Sequence, residues 1–149
     1  MNNTNETIIQ FFEWYLPPDG LFWNKIINEA TYISNLGLTH IWLPPAYKGS
    51  SGINDVGYGV YDLYDLGEFN QRGSIKTKYG SKDEYINAIE ILHKNNLKVL
   101  ADIVFNQKMG ADETETVIAL EDNPQNRTEQ ISEPKEISAW TKFTFPRKK

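Results

Sequence analysis

The residues best suited to chemistry crowd into Asp55–Phe69, where four acids, three tyrosines and three glycines fall within fifteen positions. Flat tyrosine rings beside carboxylates, carried on glycine-rich backbone, suit a surface that grips sugar. The ring covers a pyranose face, and the acids accept from its hydroxyls. The same composition equally describes a polar connector with aromatic anchors. Asp62, Asp65 and Glu68 fall at i, i+3 and i+6, a spacing that would align them on a helix, but the glycines argue against one. Calcium favours clustered oxygens, yet no calcium-loop spacing is present, so these acids read as a solvated acidic loop.

A second candidate is Asp102, set in the apolar run Leu97–Phe105 and followed by Asn106 and Gln107. A carboxylate in a buried strand needs a partner. Asp102 is therefore either bonded to a nearby amide or arginine, or part of an active-site wall. The two histidines, His40 and His93, read as structural. No Ser-His-Asp set is legible. Gly57-Tyr58-Gly59 lacks the third glycine and the following helix of a phosphate loop.

The elements that must position these residues follow from hydrophobic spacing. Thr7–Tyr15 is β-branched and aromatic and ends at Pro17-Pro18, which predicts a strand. Trp23, Ile26, Ile27, Ala30, Ile33 and Leu36 give one face of a helix, with Gly37 at its C-terminal cap. Leu38–Leu43 is a short apolar strand. Ser81-Lys-Asp-Glu84 is a capping box opening a helix with Tyr85, Ile86, Ile89 and Leu92 on one face, stopped by Asn95-Asn96. Leu97–Phe105 is a third strand. This β-α-β-α-β order, with strands apolar on both faces, predicts an α/β fold with a covered parallel sheet. Residues 44–80 form one long loop at the carboxyl end of the second strand, where α/β folds place their sites. Beyond Gly110 the chain turns polar, and Ile137–Pro146 alternates as a half-exposed strand would.

Bulk properties narrow the function classes. The chain has 149 residues, 40% hydrophobic and 13% aromatic, with a formal net charge of −5 and no cysteine. This is the composition of a globular domain without disulfides or thiolate metal sites. Basic residues cluster only at Arg147-Lys148-Lys149, which argues against nucleic acid as a partner. No apolar run approaches the ~20 residues of a membrane helix. No leader pattern is visible at Met1-Asn-Asn-Thr-Asn-Glu, so a cytoplasmic location is the expectation.

Five motifs occur in order: Gln10–Tyr15, Trp42–Gly49, Asp55–Phe69, Thr77–Gly80 and Asp102–Gln107. Together they resemble the N-terminal third of a bacterial liquefying-type α-amylase, of the α-amylase family of glycoside hydrolases. Gly110–Glu115 and Ala139–Pro146 resemble the start of that family's inserted B domain. The resemblance implies a partial (β/α)8 TIM barrel, its first three strands and two helices in residues 1–109, with the beginning of the B domain in residues 110–149. It implies an α-1,4-glucan substrate and a structural calcium ion. By matching position, Tyr58 stacks on sugar, Gln10 hydrogen-bonds the same region, Asp102 is the buried acid of the last motif, and Asn106 is a calcium ligand.

Two departures qualify what the resemblance implies. The family motif ends Asn-His, where this chain has Asn106-Gln107; glutamine can donate and accept at a sugar hydroxyl but carries no charge. The family's catalytic carboxylates lie after later strands, its nucleophile two residues beyond an arginine. Arg72, Arg127 and Arg147 are not followed by aspartate at that spacing. No catalytic residue is therefore expected on this chain. Three strands cannot close a barrel, and open edges invite pairing. The alternative expectation is a non-catalytic protein that self-associates or pairs with a complementing barrel fragment, or a gene remnant.

Overall fold

The computed structural model describes residues 5–145. They form two compact units, one extending to Gly110 and including Phe145, the other spanning Ala111–Thr144.

The first unit is built on a three-stranded parallel sheet. Its strands are β1 (Ile8–Gln10), β2 (His40–Leu43) and, after two short strands of the intervening loop, β5 (Lys98–Ala101). The spatial order is β1-β2-β5, with Ile9 opposite Ile41 and Ile41 opposite Val99. Helix α1 (Phe22–Asn35) buries Phe22, Trp23, Ile26, Ala30 and Ile33; the expected face holds from Trp23 to Ile33, but Leu36 lies past the helix end and is exposed. It ends where Gly37 adopts φ +81°, a left-handed conformation that glycine takes at least cost. Helix α2 (Lys82–Lys94) opens on the capping box: the Glu84 amide donates to Ser81 Oγ and the Ser81 amide donates to Glu84 Oε2. Asn96 supplies the left-handed turn after its last residues. Between sheet and helices lies a core of Trp23, Ile26, Ile41, Leu43, Tyr79, Leu92 and Leu97, all 2% exposed or less. Trp23 joins Phe22, Tyr79 and Tyr85 in an aromatic cluster with ring centroids 4.7–5.6 Å apart.

Three expectations about this unit are corrected. The first strand is shorter than Thr7–Tyr15, because Glu13 accepts from the Tyr15 amide and turns the chain at Trp14-Tyr15. The third strand stops at Ala101, so Asp102 lies just beyond it rather than within it. Nor is that strand covered on both faces: Leu100, Ile103 and Phe105 are 40, 51 and 80% exposed. Among the described strands β5 is the outer one of the sheet and pairs with β2 alone.

The long loop carries β3 (Lys48–Gly49) antiparallel to β4 (Val60–Asp62), joined by a 3-10 turn at Gly52–Asn54. Its acids overturn the solvated-loop expectation. Asp62 and Asp65 are 1% and 0% exposed, and Lys48 beside them is 0% exposed. Lys48 Nζ donates to the carbonyls of Ser74 and Ile75 at 2.7 and 2.5 Å and stands 3.6 Å from Asp65 Oδ2. Asp65 Oδ1 accepts from the amides of Gly67 and Glu68, both at 2.9 Å. The Gln71 amide bridges Asp62 and Asp65 at 3.0 and 2.7 Å. Burial pushes the Lys48 amine below its usual range, with Asp65 opposing the shift. Glu68, by contrast, reaches outward to Lys82.

In the second unit, β6 (Glu113–Ala119) pairs antiparallel with β9 (Lys135–Lys142), and β7 (Asp122–Asn123) with β8 (Asn126–Gln130). β9 overlaps the strand expected at Ile137–Pro146 but starts at Lys135 and ends at Lys142, whereas β6, β7 and β8 lie in the polar stretch whose composition hid them. Ladder hydrogen bonds and cross-strand partners such as Glu115–Thr141 and Glu113–Lys142 link the paired strands, while Trp140 stays 69% exposed.

Candidate functional site

The backbone around Tyr58 is held by a single carboxylate. Asp55 Oδ1 accepts from the amides of Gly57 and Gly59 at 2.8 and 3.2 Å, while Oδ2 faces Ser50 Oγ and the Ser51 amide. Two glycines make this possible. Gly57 has φ +99°, and a Cβ there would stand 2.5 Å from Pro45; at Gly59 it would stand 2.5 Å from Asp55 Oδ2. Only hydrogen fits at either position, so the turn presents Tyr58 and little else.

Tyr58 donates its hydroxyl to Asp102 Oδ2 at 2.7 Å. Burial, and then the Asp102 hydrogen bond and charge, raise the phenol well above its ordinary range, so it stays protonated and donating. Its ring lies nearly parallel to that of Trp14, interplanar angle 5° and centroids 6.0 Å apart. Trp14 is 60% exposed, which leaves aromatic surface open to solvent. Gln10, Glu13, Trp14, Val56, Tyr58 and Tyr79 border an open hollow of about 460 Å³. Tyr79, donating to the Val56 carbonyl at 2.9 Å, ties this hollow to the aromatic core.

The structure brings the expected site residues together. Gln10 and Tyr58 share the hollow. Asp102, half-buried, meets Tyr58 through its hydroxyl. Gln107 reaches the same residue from the other end, donating Nε2 to the Tyr58 carbonyl at 3.1 Å. Asn106 donates Nδ2 to Gln107 Oε1 at 3.1 Å. Sequence reasoning missed Trp14, Glu13, Asp55 and Tyr47. Tyr47 accepts from the Val104 amide and lies close enough to Asp102 to feel its charge, its phenol raised first by burial and then by that charge. Trp14 was legible only as one aromatic in a supposed strand; the turn that exposes it was not. Asp55 had a readable signal, an aspartate two residues before the first of two alternate glycines, as in an Asx turn.

The fit to calcium is limited. Calcium takes six to eight oxygens, and Asn106 offers one side-chain oxygen. Among the described residues no three acidic or histidine side chains gather as a metal site. These residues alone do not make the site. His40 bonds with Thr39 and faces Glu6, consistent with a structural role.

Comparison with known proteins follows the same lines. Residues 18–140 match the family described as alpha amylase, catalytic domain. The chain is 58% identical over 142 residues to an alpha-amylase of Geobacillus stearothermophilus, and 47% identical over 142 residues to a cytoplasmic alpha-amylase of Escherichia coli. Each match covers 95% of this chain but only 26% and 29% of those relatives. Among solved structures, a truncated alternansucrase from Leuconostoc mesenteroides superposes with a TM-score of 0.75 at 28% identity, over 91% of this chain and 13% of that one. A trehalose-6-phosphate hydrolase of Bacillus licheniformis gives 0.54 at 27% identity, over 70% of this chain and 18% of that one.

Proposed function

Because the chain belongs to the alpha-amylase catalytic-domain family of TIM-barrel glycoside hydrolases, we propose that it is the substrate-gripping part of an enzyme acting on α-1,4-glucan. On this reading the three parallel strands and two helices are the opening segment of a (β/α)8 barrel, and Ala111–Thr144 begins its inserted domain. The observation that carries the proposal is the Tyr58 turn: an aromatic ring, flanked by Trp14, fixed at hydroxyl and backbone beside an open hollow. Sugar C–H faces stack on such rings, while Gln10 is exposed at the rim to meet hydroxyls.

Hydrolysis with retention needs two carboxyl groups about 5–5.5 Å apart, one nucleophilic and one acid/base. The carboxylates around Tyr58 are engaged otherwise: Asp55 with backbone amides, Asp102 with Tyr58, Glu13 with the Tyr15 amide. We therefore assign cleavage to carboxylates outside this chain. Asn106 is at most one ligand of any calcium ion, and no step depends on it. Calorimetry with maltoheptaose tests the proposal directly. Binding is expected and should fall at least about tenfold in Tyr58→Ala, the loss of one aromatic–sugar stack. The chain alone should release no reducing sugar from starch; absence of binding at millimolar sugar would remove the glucan reading.

A second reading is favoured by β5. Its outer edge is unpaired among the described strands, and Ile103 and Phe105 line a hollow of about 460 Å³ with Leu63 and Tyr64. Under this reading the chain pairs along that edge with a second copy or with the complementing barrel segment. A monodisperse monomer in sizing chromatography at micromolar concentration would exclude self-association.

A further inference from the structure

We infer that Gln107 is a positioning residue that acts on the substrate through Tyr58. The inference rests on the proposal that Tyr58 stacks on glucan.

Tyr58 sits between two glycines, so its backbone has no neighbouring Cβ to restrain it. Three of its four anchors lie within the loop or at the end of the adjoining strand. Asp55 takes the amides on either side, and Asp102 takes the hydroxyl. The group left over is the Tyr58 carbonyl, and Gln107 Nε2 fills it from a segment 49 residues away. The adjacent Met109 amide donates to the Val60 carbonyl at 2.7 Å, so the two segments run side by side and Gln107 is in register with Tyr58.

The other end of the Gln107 amide is also committed. Oε1 accepts from Asn106 Nδ2 at 3.1 Å. Turning the amide over would set Gln107 Oε1 against the fixed Tyr58 carbonyl, replacing that hydrogen bond by a repulsive contact, whereas the exposed Asn106 amide can turn with it. Each bond uses one N–H of Nε2 and one lone pair of Oε1, so a second N–H and a second lone pair remain on the exposed side chain, and the maltoheptaose measurements separate positioning from direct contact. Gln107 closes the clamp on Tyr58: hydroxyl, flanking amides and carbonyl are all held, and the ring is presented in one orientation. A pre-oriented ring binds more tightly because less freedom is lost when sugar stacks on it.

The test has two readouts. In the chain labelled with fluorotyrosine, the Tyr58 fluorine signal is assigned by its loss in Tyr58→Phe. Gln107→Met, which keeps length but has no donor, should shift or broaden that signal without sugar present. Gln107→Glu, which sets oxygen against the carbonyl, should do the same. An unmoved signal in both variants overturns the inference. With maltoheptaose, Gln107→Met should weaken binding about three- to tenfold, the worth of one hydrogen bond. In a Tyr58→Ala background it should have no further effect. A loss that persists undiminished there means direct contact with sugar and equally overturns it. A chain that binds no maltoheptaose defeats the glucan reading, while the fluorine signal still decides whether Gln107 orients Tyr58.

Discussion

The knot of Lys48, Asp62, Asp65 and Gln71 and the cleft around Tyr58, Asp102 and Gln107 draw on the same residue types, yet they do opposite things. In the knot every charged group is enclosed: one ammonium gathers carbonyls while two carboxylates share the Gln71 amide, whose Oε1 is buried without a partner. In the cleft the hydrogen bonds hold a ring by its polar ends, and the ring and its neighbour Trp14 stay open. Acids beside aromatics thus make a structural lock where water is excluded and a binding platform where it is not. Burial decides between them, because an enclosed charge must spend its hydrogen bonds on the protein.

The contrast is most sharply broken at Lys48. Lys48→Met leaves Asp65 buried without its cation and strips several carbonyls of a donor. The expected loss is about 3–5 kcal/mol of unfolding free energy in urea titration. A loss under about 1 kcal/mol would mean that the knot is hydrated rather than closed.

Glu84 lies between the two extremes, a quarter exposed yet tied to Lys76, the Ser81 amide and Asn24. Burial opposes its charge, but these hydrogen bonds outweigh it and hold the carboxyl at about 2, below its ordinary 4.5. Since the folded value is the lower, the stabilisation is complete above pH 4.5 and is lost as pH falls towards 2. Glu84→Gln should cost about 2 kcal/mol at pH 7, and the gap to the parent chain should narrow over that acid window. Thermal unfolding against pH reads it; a gap independent of pH would contradict the assignment.

In the cleft the stability effects are smaller. Tyr58→Phe removes one half-exposed hydrogen bond and should cost about 1 kcal/mol or less, with Asp102 able to take water instead. Asp102→Asn retains an acceptor for the Tyr58 hydroxyl but removes the charge. Ultraviolet titration at alkaline pH should then show the Tyr58 phenol ionising earlier than in the parent chain, with little change in stability. An unchanged titration would show burial alone to be the cause.

Much of the frame was legible in the chain. Helix faces at Trp23–Ile33 and the capping box at Ser81–Glu84 are local patterns, and local hydrogen bonds enforce them wherever the segment folds. The ordered motifs likewise singled out Gln10, Tyr58, Asp102 and Gln107. Strand ends were misread because Glu13 turns the chain where β-branched and aromatic composition would have continued it. β6 was hidden because its stability lies in pairing with β9, with partners up to 29 residues apart (Glu113 and Lys142), which polar composition cannot reveal.

What sequence alone determined, then, is the β-α-β-α-β frame and some of the groups that could grip a ligand, because these depend on residue type and near-neighbour spacing. Tertiary structure decided which acids are locked and which are offered. Asp62 and Asp65 became interior through Lys48 and Gln71, and Gln107 was turned onto the Tyr58 carbonyl across 49 residues. Those outcomes depend on what excludes water from each carboxylate and which segments run side by side, and neither is written in any local stretch of the chain.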